Sequence, residues 1–172
     1  MDVGLLLLRV VHIGAGVFWV GGAFTFFLFV APSAGALEPP ATKRFMDEVV
    51  NNRRFPTAIL IASTLTILAG ALLYWRDSAG LSAAWITSPT GIGFTVGAVA
   101  AIVSWILGPL AIRPTITRLQ ELGDQVMEAH RPPTAEEAGT LAALNQRLRT
   151  VGIINLVLLG IAVLSMAVAR YL

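Results

Sequence analysis

GIGFTVGAVAAIVSWILGPLAI, residues 91–112, runs from end to end without an Asp, Glu, Lys or Arg. About 20 apolar residues in a helix cross a hydrocarbon core of roughly 30 Å. Inside lipid a helix is favoured because it bonds every backbone N–H and C=O within the segment itself. Two further windows of similar length, Phe55–Trp75 and Val151–Ala169, are equally free of charge. A fourth apolar run, residues 4–31, carries only Arg9 and His12. The whole chain has 172 residues, 56% hydrophobic and 13% charged. Soluble domains carry roughly 25% charged residues, so this chain lacks the polar surface to face water on all sides. The expected fold class is all-α: an integral membrane, up-down four-helix bundle, one domain over residues 1–172 with spans at about 4–31, 55–75, 91–112 and 151–171.

The first run is read as a retained span. Ala34-Gly35-Ala36 offers a small-x-small triplet, but Asp2 replaces the basic cluster of a secretory leader and the apolar run is too long for one. With no cysteine in the chain, disulfides and thiolate metal sites are excluded. The net charge of +2 reflects basic residues facing an anionic leaflet rather than a nucleic-acid partner.

Charge distribution sets the expected orientation. Lys43, Arg44, Arg53 and Arg54 lie between spans one and two; Arg113, Arg118, Arg131, Arg147 and Arg149 lie between spans three and four. Arg76 and Arg170 lie at the other side, and Arg9 within the first span. The positive-inside bias places both termini outside and both long loops in the cytoplasm of a bacterial inner membrane. The first loop is expected to begin irregularly at Pro32 and through Pro39-Pro40, then form a short surface helix over Thr42–Arg54. Pro56 suits the first turn of span two. Tyr74, Trp75 and Trp85 suit a headgroup-level aromatic belt.

Beyond span three, Ile116, Leu119, Leu122 and Val126 fall at helical spacing. Pro132-Pro133 interrupts the chain, and Thr134-Ala-Glu-Glu137 forms a capping box. Leu141, Leu144, Leu148 and Val151 make a second stripe. The reading is an antiparallel helical hairpin over about 113–150, extending spans three and four into the cytoplasm. Small residues should bring the spans together, because lipid is as apolar as leucine and close contact drives association. Gly93, Gly97 and Ala101 form such a stripe on span three. It is expected to serve packing within the bundle, with a homodimer seam as the minority reading. Asn155 is expected to hydrogen-bond between helices.

Arg9, His12, Gly16, Trp19 and Ala23 share one side of the first span. An ionisable residue in a span is costly unless it faces the bundle interior, so this face is expected to look inward. Thr66, Thr95, Ser165 and Met166 fall at similar depth, giving a candidate polar pocket with His12 at its floor and Arg9 and Trp19 on its face. Its candidate occupants stay open. His12 is either a structural imidazole, an axial ligand of haem b, a copper ligand paired with the Met166 thioether, or a proton-relay or quinone contact. His130 lies on the wrong side to complete a bis-histidine site. No span carries Asp or Glu, and no phosphate loop, HExxH or nucleophile elbow is present. Nothing completes a catalytic set, so the sequence favours a non-enzymatic structural, accessory or small-ligand-binding subunit, partnered by lipid and by a larger membrane complex.

Three stretches carry a family resemblance: His12 followed seven residues later by WVGG (Trp19–Gly22), GPLAIRPTITRL (Gly108–Leu119) and MAVARYL (Met166–Leu172). Together they resemble a largely uncharacterised branch of small bacterial four-span membrane proteins related to the copper-resistance D (CopD-like) domain. The resemblance implies a four-span bundle in the inner membrane and, by analogy, copper handling. The Met- and His-rich external segments expected of copper acquisition are missing here. The His-and-Trp opening is also similar to that of membrane haem proteins of the protoporphyrinogen-oxidising type.

Overall fold

Four helices long and apolar enough to cross a membrane account for most of the chain in a computed structural model that describes residues 2–172. Helix α1 (Val3–Gly35) is the first span; α2 (Pro39–Asp47) is a short amphipathic helix that continues through a π-helical turn, Glu48–Asn52. The second span is α3 (Phe55–Asp77), followed by the short α4 (Ala83–Ile86). Helix α5 (Pro89–Glu128) and helix α6 (Ala135–Tyr171, its last turn 3-10) each run past the span into the hairpin. The fold is the expected all-α bundle. The chain reverses after each long helix, so both termini and the 78–88 connection lie at one end. That end is called terminal below, and the other, with α2 and the hairpin, basic.

The helix ends follow local chemistry. Asp2 caps α1 by accepting from Leu5 N–H at 3.2 Å and pairs with Arg76 of α3, tying spans one and two at the terminal end. The Arg76 guanidinium bond holds the Asp2 carboxyl below its usual range. Pro56 stands in the first turn of α3, where no N–H is needed. Thr134 and Glu137 form the expected capping box at the start of α6, and Arg131 grips the same Glu137 through both guanidinium nitrogens at 2.7 and 2.8 Å. That grip holds the Glu137 carboxyl down at about 2.

Two prolines behave differently from expectation. The helix does not break at Pro32: α1 continues to Gly35 through a π turn, Phe26–Val30, in which Ala31 N–H reaches back five residues to Phe26 O. The wider turn gives the proline ring room against the carbonyl it would otherwise strike. The same arrangement recurs in α5, where the π turn Gly108–Ile112 carries an Arg113 N–H to Gly108 O bond, again two residues before a proline, Pro114. Pro39 and Pro40, expected as irregular chain, instead form the first turn of α2, which begins before the expected Thr42.

Packing is strongest within two antiparallel pairs, α1 with α3 and α5 with α6. Small residues make both seams. A side-chain carbon built at Gly97 would lie 2.6 Å from Met166 Cγ, and one at Gly93 would lie 2.8 Å from Ala169 Cβ. The Gly93–Gly97–Ala101 stripe is thus used within the chain, against α6. The buried core is mainly Trp19, Leu156, Leu159 and alanines 23, 62, 100, 101 and 162. Outward positions such as Val17, Leu68 and Leu164 stay exposed and apolar, as a lipid-facing surface requires. The hairpin forms as read: Ile116, Leu119, Leu122 and Val126 are half-buried, as are Leu141, Leu144 and Leu148 opposite. Of the three aromatics expected to form a belt at the terminal end, only Trp75 is widely exposed. Trp85 is half-buried, edge-on to Tyr74 and stacked with Phe94 at 6.2 Å.

Candidate functional site

The His12 face looks inward, but it meets one helix closely. His12 Nδ1 lies 2.9 Å from Thr66 O of α3. A carbonyl only accepts, so Nδ1 carries the proton, and in the neutral ring Nε2 is left with its lone pair. The ring occupies space that Gly70 leaves free: a carbon built there would lie 2.8 Å from His12 Cε1. Gly16 faces Thr66 at looser range, where an added carbon would lie 3.5 Å from Thr66 Cγ2, and Trp19 is buried deeper in the core. Arg9 is exposed.

The other polar groups expected around His12 find partners nearer home. Tyr74 Oη and Thr95 Oγ1 share a hydrogen bond of 2.6 Å between α3 and α5, and Ser165 Oγ donates to Ile161 O of its own helix at 2.7 Å. Met166 packs on Gly97, so His12 and Met166 are seated in the two different helix pairs. His130 sits in the hairpin turn with φ 50°. Among the described residues no cluster of three or more His, Cys, Asp or Glu is placed to hold a metal ion.

A cavity of about 300 Å³ opens instead toward the basic end, between all four long helices and the end of α2. Its inner part is built from Trp19, Ser63, Ser104 and Asn155, its outer part from Asn51, Arg113, Thr117 and Gln120, and its walls from Phe26, Phe27, Phe55 and Trp105. Each aromatic is positioned by a neighbour. Phe26 stacks on Phe55 at 5.4 Å, Phe27 stands edge-on to Phe26, and Gly152 of α6 leaves the space that the Phe27 ring fills. Trp105 N–H donates to Thr64 Oγ1 at 3.2 Å, which fixes its indole against α3.

Polar satisfaction along this cavity is uneven. Ser104 Oγ donates to Asn155 Oδ1 at 2.7 Å, the interhelical bond expected of Asn155, and Ser63 Oγ donates to Leu60 O at 2.9 Å. Gln120 Nε2 is buried and has no hydrogen-bond partner among the described residues. A buried donor left unpaired costs about 1–3 kcal/mol, far more than a satisfied one. All three π turns contribute to the lining: Phe26 and Phe27 from the first, Val50 and Asn51 from the second, Gly108, Pro109 and Ile112 from the third. π turns are rare and gather at functional sites.

Of the residues singled out from sequence, this cavity takes Trp19, Ala23, Pro56, Ile116 and Asn155 but neither His12 nor Arg9 nor Met166. Sequence reasoning missed Ser63, Ser104, Trp105 and Gln120, and it assigned Arg113 only to topology. The prolines two residues past π turns were the legible signal. The chain is thereby an all-α polytopic membrane protein with a cavity at one end. Compared with known protein families, curated proteins and solved structures, it matches none.

Proposed function

We propose that this protein is a non-enzymatic membrane subunit that binds a small membrane-borne ligand in the cavity at its basic end. The observation that carries the reading is the convergence of three π turns on one cavity with an unpaired buried amide. A helix gives up regular hydrogen bonding only where the surrounding structure sustains the distortion, and here three separate helices do so around the same space. The positive-inside bias supports a bacterial inner-membrane location with the cavity opening toward the cytoplasm. The resemblance to the copper-resistance D group supports the same membrane and span number. The hairpin, projecting beyond the membrane, supplies a surface for a larger complex.

Native mass spectrometry of protein released gently from its own membrane tests this. The expected spectrum shows folded protein carrying a small-molecule adduct, lost in Thr117→Trp, which fills the cavity from its exposed rim. Folded protein at the bare polypeptide mass would overturn the reading.

A second reading rests on His12. Its Nδ1–H bond to Thr66 O fixes the tautomer in which Nε2 is available as an axial ligand of haem b. Purified protein would then show a Soret band that disappears in His12→Ala; colourless protein at full yield eliminates it. A copper site shared with Met166 lacks comparable support, because the two side chains belong to different helix pairs.

A further inference from the structure

The cavity has a one-sided charge. Arg113 is the single ionisable residue that lines it, and no Asp or Glu does. None of the ion pairs among the described residues involves Arg113. Arg113, Ile116, Thr117 and Gln120 stand at i, i+3, i+4 and i+7, one stripe of α5 turned to the cavity. The stripe thus pairs an uncompensated guanidinium with the unpaired buried amide of Gln120. Both are donors: the Gln120 amide is buried without an acceptor, and the exposed Arg113 guanidinium has no ion-pair partner among the described residues.

Depth gives the rest. A hydrocarbon core of about 30 Å is crossed in about 20 residues, so counting from Pro89 the boundary at the basic end falls near Gly108. Ser104 and Trp105 lie inside it, Arg113 lies about 7 Å beyond it at headgroup level, and Gln120 stands further out. From Ser104 to Gln120 the cavity extends about 24 Å along α5. It therefore straddles the boundary, with donors outside and aromatic walls inside. In the inner part the hydroxyls of Ser63 and Ser104 are already bonded to Leu60 O and Asn155 Oδ1. An apolar chain lying there strips no hydroxyl of its partner.

Resting on the cavity as the ligand site, we infer that its occupant is an anionic amphipath. A carboxylate or phosphate head accepts from the Arg113 guanidinium and the Gln120 amide, and the chain runs inward past Phe26 and Phe55 toward Trp19. A free fatty acid and an anionic phospholipid share this chemistry.

The test uses full-length protein in detergent with Trp75→Phe and Trp85→Phe, which leaves Trp19 and Trp105, both cavity residues, as the only indoles. Dibromostearate is titrated as a contact quencher against the matching dibrominated alcohol. The acid is expected to quench with an affinity about tenfold or more above the alcohol, the size of a charge-assisted hydrogen bond. Arg113→Gln should erase that preference and Arg113→Lys retain most of it. Competition by phosphatidylglycerol but not phosphatidylcholine assigns the head to a lipid, and competition by neither assigns it to the free acid. Equal quenching by acid and alcohol, an unchanged preference in Arg113→Gln, or equal competition by phosphatidylcholine overturns the inference and leaves the ligand cavity standing. Absence of quenching by either compound removes the cavity reading itself.

Discussion

Replacing Gly97 by alanine places a methyl group in the seam between α5 and α6 where no space exists for it. The added carbon would stand 2.6 Å from Met166 Cγ, 2.8 Å from Ser165 Oγ and 3.1 Å from Ala162 O. Carbon atoms pack at about 3.5–4.0 Å, so Met166 must retreat by roughly 1 Å. That side chain can rotate away. Ser165 is less free, because its hydroxyl donates to Ile161 O at 2.7 Å, and breaking such a bond costs about 0.5–1.5 kcal/mol. The Ala162 carbonyl is backbone and moves only with its helix. Overpacking of this kind costs about 1–3 kcal/mol, which is the expected loss for Gly97→Ala. Gly160→Ala is the matched control. It makes the same change on a span, and nothing lies within 4 Å of the added carbon. Both variants gain whatever alanine offers a helix, roughly 0.5–1 kcal/mol, so the difference between them isolates the steric part. The assay is reversible unfolding in mixed micelles as the fraction of dodecyl sulfate rises, followed by circular dichroism. If Gly97→Ala unfolds at the same midpoint as Gly160→Ala, the close pairing of α5 with α6 is wrong.

Two further outcomes follow from the geometry at either end of the bundle. A carbon built at Gly91 would collide with Trp85 O, which already accepts from Ser88 Oγ at 2.6 Å; Gly91→Ala should push α4 off the bundle, cost about 1–3 kcal/mol and shift Trp85 emission to the red, whereas unchanged emission would refute the contact. Glu137 has its carboxyl lowered from its usual 4.5 to about 2, chiefly by the Arg131 hydrogen bond. A lowered folded value means its contribution is complete above about pH 4.5 and is lost as the pH falls toward 2. Amide protection in the 129–138 turn, taken relative to the intrinsic exchange rate at each pH, should therefore fall across that window, and Glu137→Gln should show no such fall; a flat wild-type protection profile would count against the ion pair.

The spans were legible because the bilayer punishes a misplaced charge severely, and the charge-free windows carry that penalty openly in the letters. The capping box at Thr134 and the first-turn Pro56 were legible for a similar reason: each satisfies a purely local need of the backbone. Pro32 and Pro39 misled because a proline ends a helix only when the preceding turn has no other way to accommodate its ring. Pro39 stands where no N–H is required, and Pro32 follows a widened turn. His12 bonds to Thr66 O of α3, a neighbour that depends on the strong pairing of α1 with α3, and periodicity along one helix says nothing of the partner. The cavity lay furthest from view. It is assembled from Trp19, Asn51, Phe55, Ser104, Gln120 and Asn155, so widely separated in the chain that no motif spacing joins them.

The π turn in α5 explains how a span residue and a hairpin residue come to line one cavity. Each residue of a regular α-helix advances about 100°. Sixteen residues separate Ser104 from Gln120, which would leave them about 160° apart, on opposite sides of the helix. The turn Gly108–Ile112 inserts one extra residue into the winding, which subtracts about 100° from everything beyond it. Gln120 then comes within about 60° of Ser104. Arg113, nearer along the chain, moves from diametrically opposite Ser104 to roughly a quarter-turn away by the same arithmetic. Without the distortion, the guanidinium and the amide would point away from the hydroxyls of Ser104 and Ser63, and the lining would divide between two faces. The distortion sits at the boundary between span and hairpin, beyond Gly93 and Gly97, so the change of phase leaves their packing on α6 untouched. Its position, ahead of Pro114, is thus the feature of the chain that turns a projecting hairpin into the outer wall of the cavity.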